Sequence, residues 1–151
     1  MITTATKALQ IPAEFKGWLS METLSNYVGD SYIVGFDIAH PDSGEPYRPV
    51  LVMFLDPESR HVVAWWLSDA ASIVRVPYTP QEKVLVERFI RTVAEHHDKD
   101  FASCNALPSQ QQYIESLTCW LVRYHDTPQA ALHGHTPAYM WADALCKGGS
   151  F

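Results

Sequence analysis

The chain has 151 residues, of which 47% are hydrophobic and 19% are charged, a composition typical of one globular domain with a buried core. Eleven Lys and Arg residues stand against seventeen Asp and Glu residues, and the net charge of −6 argues against a protein that binds DNA through a broad basic face. No apolar run approaches the roughly 20 residues of a membrane-spanning helix, so we expect no membrane partner.

The cysteines and the first residues of the chain indicate in which cellular compartment the protein is expected. Cys104, Cys119 and Cys146 are scattered and odd in number, so they predict no disulfide framework and suit a reducing environment. The first ten residues lack the basic-then-apolar order of a signal peptide. Together these features predict a cytoplasmic protein.

The first half of the chain predicts three strands joined by short turns. Residues 28–38 are rich in β-branched and aromatic side chains, and residues 50–55 form a continuous apolar run typical of a central strand buried on both faces. Residues 40–46 form a turn cluster, and residues 61–67 return as a third strand. This order predicts an antiparallel meander.

The second half predicts helices with clear start signals. Thr79 can cap a helix that has Pro80 at its first position and Glu82 as the acid of a capping box. Apolar residues then recur with the period of a helix, which predicts one buried stripe and a helix that ends near residue 96. The stripe consists of Val86, Phe89, Ile90 and Val93.

Two further helices are predicted downstream. The first begins at Ser109 with Gln112 and the second at Thr136 with Pro137. Strands followed by helices are typical of an α/β or α+β domain.

Five short motifs carry a family resemblance. They are Val28-Gly29-Asp30-Ser31-Tyr32, Tyr47-Arg48-Pro49, Asp56-Pro57-Glu58-Ser59-Arg60, Pro77-Tyr78-Thr79-Pro80 and Val86-Glu87-Arg88-Phe89. In this order they resemble the Mu-type phage transposase branch of the retroviral-integrase-like (D,D,E) catalytic domains. Residues 120–141 are also similar to the tail of such domains.

The resemblance implies an RNase H-like α/β fold in residues 27–146, after an N-terminal extension of residues 1–26 and before a tail of residues 147–151. We expect a three-stranded antiparallel meander plus a short extra strand, packed by C-terminal helices. The region of the family's fourth strand is missing, so the domain is internally shortened.

The resemblance also implies two catalytic, metal-binding acids, Asp30 and Glu87. Family members bind Mg²⁺ or Mn²⁺ through two aspartates and a glutamate, and two such metals need carboxylates that converge in one small pocket. Asp37 is a rival to Asp30, but it lies an odd number of residues along the same strand and therefore points to the opposite face.

The second aspartate of the family pattern has no counterpart. Asp69 is the only acid between Leu67 and Pro77, and it follows the third strand, roughly 10 Å from the first in a sheet with ordinary strand spacing. Asp56 lies in a turn at the other end of the strands. We therefore predict a deletion near residues 70–74 that leaves two catalytic acids of three.

A deletion there would expose the edge of the first strand, which invites association. We predict that residues 73–76 pair alongside residues 28–36, either within the chain or from a second copy, and that Arg75 then neutralises the acidic pocket. A homo-oligomer is the corresponding expectation.

Basic residues cluster only at Lys83, Arg88 and Arg91, which are the candidate DNA contacts. Because Arg88 and Arg91 are three residues apart on a helix, they lie on neighbouring positions of one face, and a solvated face is the simpler interpretation. We expect any DNA binding to be weak.

Two other patterns favour structural roles. The histidines and cysteines lack the paired spacing of a zinc site. Trp65 and Trp66 could stack on bases, but in a strand one of them faces the core, so packing is the preferred interpretation.

Three hypotheses about function follow. The chain is a transposase/integrase catalytic domain with an unlocated second acid; or it is an inactive remnant that binds a full-length transposase or DNA and regulates it; or it retains the scaffold for an unrelated function. The first two place it in DNA transposition or integration.

Overall fold

In the computed structural model, residues 26–69 and 79–148 are described. The predicted extra strand at residues 73–76, with Arg75, lies outside these residues, and so does the N-terminal extension up to residue 25. No helix in the described part of the chain is long and apolar enough to cross a membrane.

Three antiparallel strands form the main sheet. They are β1 (Val28–Ile33), β4 (Val50–Leu55) and β5 (Val62–Ser68), with β4 in the centre, so the predicted meander is confirmed. A small hairpin of β2 (Ile38–Ala39) and β3 (Pro46–Tyr47) is inserted between β1 and β4.

The prediction of one strand over residues 28–38 is wrong, because β1 ends at Ile33. Ile33 pairs with Val50, the first residue of β4, and the preceding Pro49 accepts one more hydrogen bond, from the Val34 N–H at 2.9 Å. Pro49 has no N–H to donate in return, so the ladder stops there. The chain bends at Gly35 and then forms the inserted hairpin.

The central strand β4 is buried on both faces, as predicted. Leu51, Met53 and Leu55 point toward the helices, and the alternate residues point to the opposite face. Trp65 packs against the helix-side core, whereas Trp66 is 7% exposed and stacks on Phe54 with ring centroids 6.0 Å apart. Both tryptophans therefore pack in the interior, which confirms the preferred interpretation.

Helix α1 (Pro80–Thr92) begins with the predicted capping box. The Thr79 Oγ1 accepts from the Glu82 N–H at 3.2 Å, and the Glu82 carboxylate accepts from the Thr79 N–H at 3.1 Å. Val86, Phe89 and Val93 are buried in the core beneath it, on the predicted stripe.

The predicted end of this helix near residue 96 is wrong. A π-helical segment (Val93–Asp98) follows α1 directly and leads into helix α2 (Lys99–Cys104). His97 and Asp98, just beyond the predicted end, turn inward and are each 4% exposed.

Helix α3 (Gln110–His125) and helix α4 (Pro137–Gly148) start at the two predicted signals. Ser109 and Gln112 form a capping box, and the Tyr139 N–H donates to the Thr136 Oγ1 at 3.0 Å. A short 3₁₀ helix (Ala130–Leu132) joins them. Helix α4 ends at Gly148.

Gly29 provides a test of the packing around β1. A Cβ at this position would lie 2.4 Å from the ring of Phe54, which is buried and stacked on Trp66. We expect Gly29→Ala to lower the free energy of unfolding by about 1–3 kcal/mol, because the buried ring must move.

The measurement is equilibrium denaturation in urea. Gly35→Ala is the matched control, since nothing lies within 4 Å of a Cβ there and its unfolding free energy should hardly change. Equal stability of both variants would contradict the packing explanation.

Candidate carboxylate site

Asp30 and Glu87 come from different elements and lie within electrostatic range of each other. Helix α1 packs against β1, which brings the helix position of Glu87 to the strand position of Asp30. Burial raises the pKa of the half-buried Asp30, and the Glu87 carboxylate raises it further. The Ser31 N–H donates to Asp30 Oδ1 at 2.8 Å, and this hydrogen bond lowers the pKa of Asp30.

Lys83 is the third charged group at this site. It lies one helical turn before Glu87 on α1, is exposed, and lowers the pKa of Asp30 through its positive charge. The sequence assigned Lys83 to DNA contacts, whereas the structure places its charge within range of the Asp30 carboxylate. Arg88 and Arg91, the other two candidate DNA contacts, are exposed on the same helix.

Three other acids considered in the sequence have partners of their own. Asp37 lies outside a regular strand and pairs with Arg48 at 3.7 Å, while Asp56 accepts hydrogen bonds from the backbone and hydroxyl of Ser59. Asp69 contacts His40 at 2.9 Å.

The register keeps Asp69 away from Asp30. Asp30 is opposite Met53, which is opposite Trp65, so Asp69 lies beyond the end of a strand two positions across the sheet. In residues 26–69 and 79–148, no group of three or more His, Cys, Asp or Glu side chains is placed to hold a metal ion. The structure therefore places two acids within electrostatic range of each other and gives them no third among the residues that it describes.

A second polar cluster, which sequence reasoning missed, lies inside the core. The Asp98 carboxylate accepts hydrogen bonds from the hydroxyls of Tyr32 and Tyr113 and contacts His97 Nδ1 at 2.7 Å. Burial, followed by the Asp98 charge, raises the pKa of Tyr32 well above its ordinary value, so this hydroxyl stays protonated and donates. Tyr32 and Tyr113 are far from Asp98 in sequence, so no pattern of neighbouring residues predicts the cluster.

His97 extends this cluster to helix α3. Its Nε2 contacts Ser116 Oγ at 2.9 Å, so Ser116, His97 and Asp98 follow the order of a serine hydrolase relay. His97 is 4% exposed and its ring contacts Phe101 and Trp120, while Ser116 is only partly buried. The hydrogen bonds of the cluster connect β1, the π-helical segment and α3, which gives it a role in packing these elements together.

Comparison of the chain with protein-family models gave no match, and comparison with curated proteins gave no match either.

The raised pKa of Asp30 predicts a pH-dependent effect of Asp30→Asn. A carboxyl with a raised folded-state pKa binds its proton more tightly in the folded state, so its stabilisation is present at acid pH and lost as pH rises through the folded pKa. At neutral pH the variant should be more stable than the wild type by up to about 0.5 kcal/mol, since the site is partly screened by solvent.

Urea unfolding at pH 7.5 and pH 3 measures this difference, which should vanish at the lower pH. The amide oxygen of the Asp30→Asn variant can still accept from the Ser31 N–H, and Asp42→Asn, at an exposed turn, serves as the control. A variant that is less stable at neutral pH would show that the carboxylate has a stabilising partner.

The Asp98 cluster predicts that Tyr113→Phe lowers the free energy of unfolding. This change removes the 2.8 Å hydrogen bond to Asp98 and leaves a buried carboxylate oxygen with one donor fewer. The expected decrease in the free energy of unfolding is about 1–3 kcal/mol. Tyr139→Phe, at a tyrosine that is 53% exposed, should be neutral, and thermal unfolding of both variants provides the comparison.

Proposed function

We propose that this chain is a transposase/integrase-type domain with an RNase H-like fold, associated with DNA transposition or integration, that has impaired or no catalytic activity. The observation that carries the proposal is the approach of Asp30 and Glu87, which come from the first strand of an antiparallel meander and the helix packed on it. These are the first and last acids of the D,D,E pattern that the sequence motifs resemble.

The chemistry of the pair supports the fit of a divalent metal. Carboxylate oxygens are hard ligands of the kind that Mg²⁺ and Mn²⁺ prefer, so Asp30 and Glu87 are the residues that would hold such an ion. When bound, the metal would supply charge stabilisation for phosphoryl transfer. The chain's own contribution is to hold Asp30 half-buried against the Ser31 N–H, with Glu87 exposed at the rim.

Two features support impaired catalysis. A pair of metals needs converging carboxylates, and no third acid joins Asp30 and Glu87 among the described residues. Lys83 also places a positive charge within range of Asp30, where it competes electrostatically with a cation.

A non-catalytic, regulatory protein is the second candidate, favoured by the same lack of a third carboxylate beside Asp30 and Glu87 in residues 26–69 and 79–148. Such a protein would bind a full-length transposase, a second copy of itself, or DNA. The net charge of −6 and the few basic residues on α1 support weak DNA binding at most, so a protein partner in the cytoplasm is the better candidate.

Calorimetric titration with MgCl₂ and MnCl₂ tests the metal pair. We expect dissociation constants of millimolar order, about −4 kcal/mol, since only two carboxylates contribute. Asp30→Asn and Glu87→Gln should each abolish the binding, and Asp42→Asn should leave it unchanged. Binding that survives both site variants would reject the pair as a metal site.

A nicking assay on supercoiled plasmid in Mn²⁺ separates an active enzyme from the two candidates. An inactive or regulatory protein should give no cleavage above that of Asp30→Asn, and an impaired enzyme should give only a small excess over that variant. Micromolar Mn²⁺ affinity together with cleavage lost in Asp30→Asn would instead establish an active enzyme.

A further inference from the structure

Three aromatic rings stack where the β4–β5 turn meets the end of α3 and the first half of α4. His61 and His125 lie face to face, with ring centroids 3.9 Å apart and an interplanar angle of 11°. Trp141 of α4 continues the stack beyond His61, at 5.3 Å and 13°. We call these three residues the ring stack.

The hydrogen bonds fix the protonation state of His125. The Val62 N–H, at the start of β5, donates to His125 Nε2 at 3.0 Å. A nitrogen that accepts a hydrogen bond carries no proton, so His125 is a neutral imidazole with its proton on Nδ1. Adding a proton to Nε2 would replace the lone pair and break the bond to β5.

His61 makes a second positive charge at this place unfavourable. Its ring lies against His125, and its Nδ1 is buried without a hydrogen-bond partner among the described residues. Burial, followed by the proximity of His61, lowers the pKa of His125 to about 4, and burial also lowers the pKa of His61. The geometry and the pKa directions therefore agree that both rings are neutral at pH 7.

Charged groups near the ring stack raise the pKa of some of its neighbours and lower that of others. Burial lowers the pKa of His61, whereas a hydrogen bond with the Val62 backbone and, less strongly, the Asp56 carboxylate in the β4–β5 turn raise it. Arg60 of the same turn lies close enough to lower the pKa of Tyr124, against the larger effect of burial, and the Tyr124 ring contacts His125 at 5.8 Å.

On the other side of the stack, Tyr27 contacts Trp141 at 6.2 Å, and its own pKa is raised by burial and by Asp56. Both tyrosines remain neutral below pH 7. Asp56 is the one anion of the described residues whose charge raises the pKa of His61. Its carboxylate accepts hydrogen bonds from Ser59 and makes none to either imidazole among the described contacts.

We propose that the ring stack is an acid-sensitive latch, which holds α4 and the β4–β5 turn against the end of α3 while both imidazoles are neutral and releases them when His125 is protonated. The stack joins these three elements through side chains. Protonation removes the acceptor of the Val62 N–H and places a positive charge against His61 in the same step. The stabilisation from the neutral pair is present above the ordinary histidine pKa and is lost as pH falls through the folded pKa.

Amide hydrogen exchange of the full chain tests the latch. Between pH 7 and pH 4, the protection of the Val62 amide, corrected for the intrinsic exchange rate, should fall about tenfold or more, as expected for a local opening. His125→Gln keeps a carbonyl acceptor but cannot be protonated, so protection in this variant should not depend on pH. His96→Gln, at an exposed histidine, should behave as the wild type.

Nitrogen NMR of the histidine rings in the wild type tests the same proposal without a variant. His125 should show an unprotonated Nε2 at pH 7 and titrate well below the ordinary pKa of a histidine. An ordinary titration of His125, or a Val62 amide equally protected at both pH values, would overturn the latch. A loss of protection in His125→Gln that equals the wild-type loss would overturn it as well.

Discussion

The buried carboxylate of Asp98 is the constraint on which the packing of the sheet against the helices depends. Removing a carboxylate from water is costly unless hydrogen bonds replace the lost hydration. Here the hydroxyls of Tyr32 and Tyr113 and the ring of His97 provide that replacement, from β1, α3 and the π-helical segment itself. Each partner must stay in place, because a buried acid that loses a donor destabilises the fold.

The π-helical segment is explained by the same requirement. Its wider turn brings His97 and Asp98 inward together, where a hydrogen-bonded pair at 4% exposure can reach both Tyr113 and Ser116. Such segments often occur at functional positions in helices. In this chain the segment fixes the far end of the continuous helix whose first half carries Glu87, so the same contact orients α1 across β1.

The two polar sites differ in how burial is balanced by hydrogen bonds. Asp98 is enclosed and saturated with donors, which suits a structural role. Asp30 is only half-buried, has one backbone donor, and has another carboxylate nearby. A like charge beside a partly buried acid is unfavourable unless a cation compensates it, and Lys83 or a divalent metal can do so. This difference is the physical reason that the proposed function rests on Asp30 and not on the larger Asp98 cluster.

The sequence by itself determined the elements that depend on local chemistry. Capping boxes at Thr79 and Ser109 involve residues three apart, so their signals are complete within one turn of chain. The meander and the two-sided burial of β4 followed from short turns and a continuous apolar run. The choice of Asp30 and Glu87 came from motifs, and their proximity required only that α1 pack on β1.

Tertiary structure alone decided what depends on partners distant in sequence. The end of β1 at Ile33 is set by Pro49, whose missing N–H stops the ladder across the sheet. The inward position of His97 and Asp98, just beyond the predicted helix end, depends on the hydroxyls of Tyr32 and Tyr113, which donate hydrogen bonds to Asp98. The stacking of His61 on His125 and Trp141 likewise joins three elements. Local patterns report the chain's own conformation, whereas burial and proton binding are properties of the surroundings that only the folded chain provides.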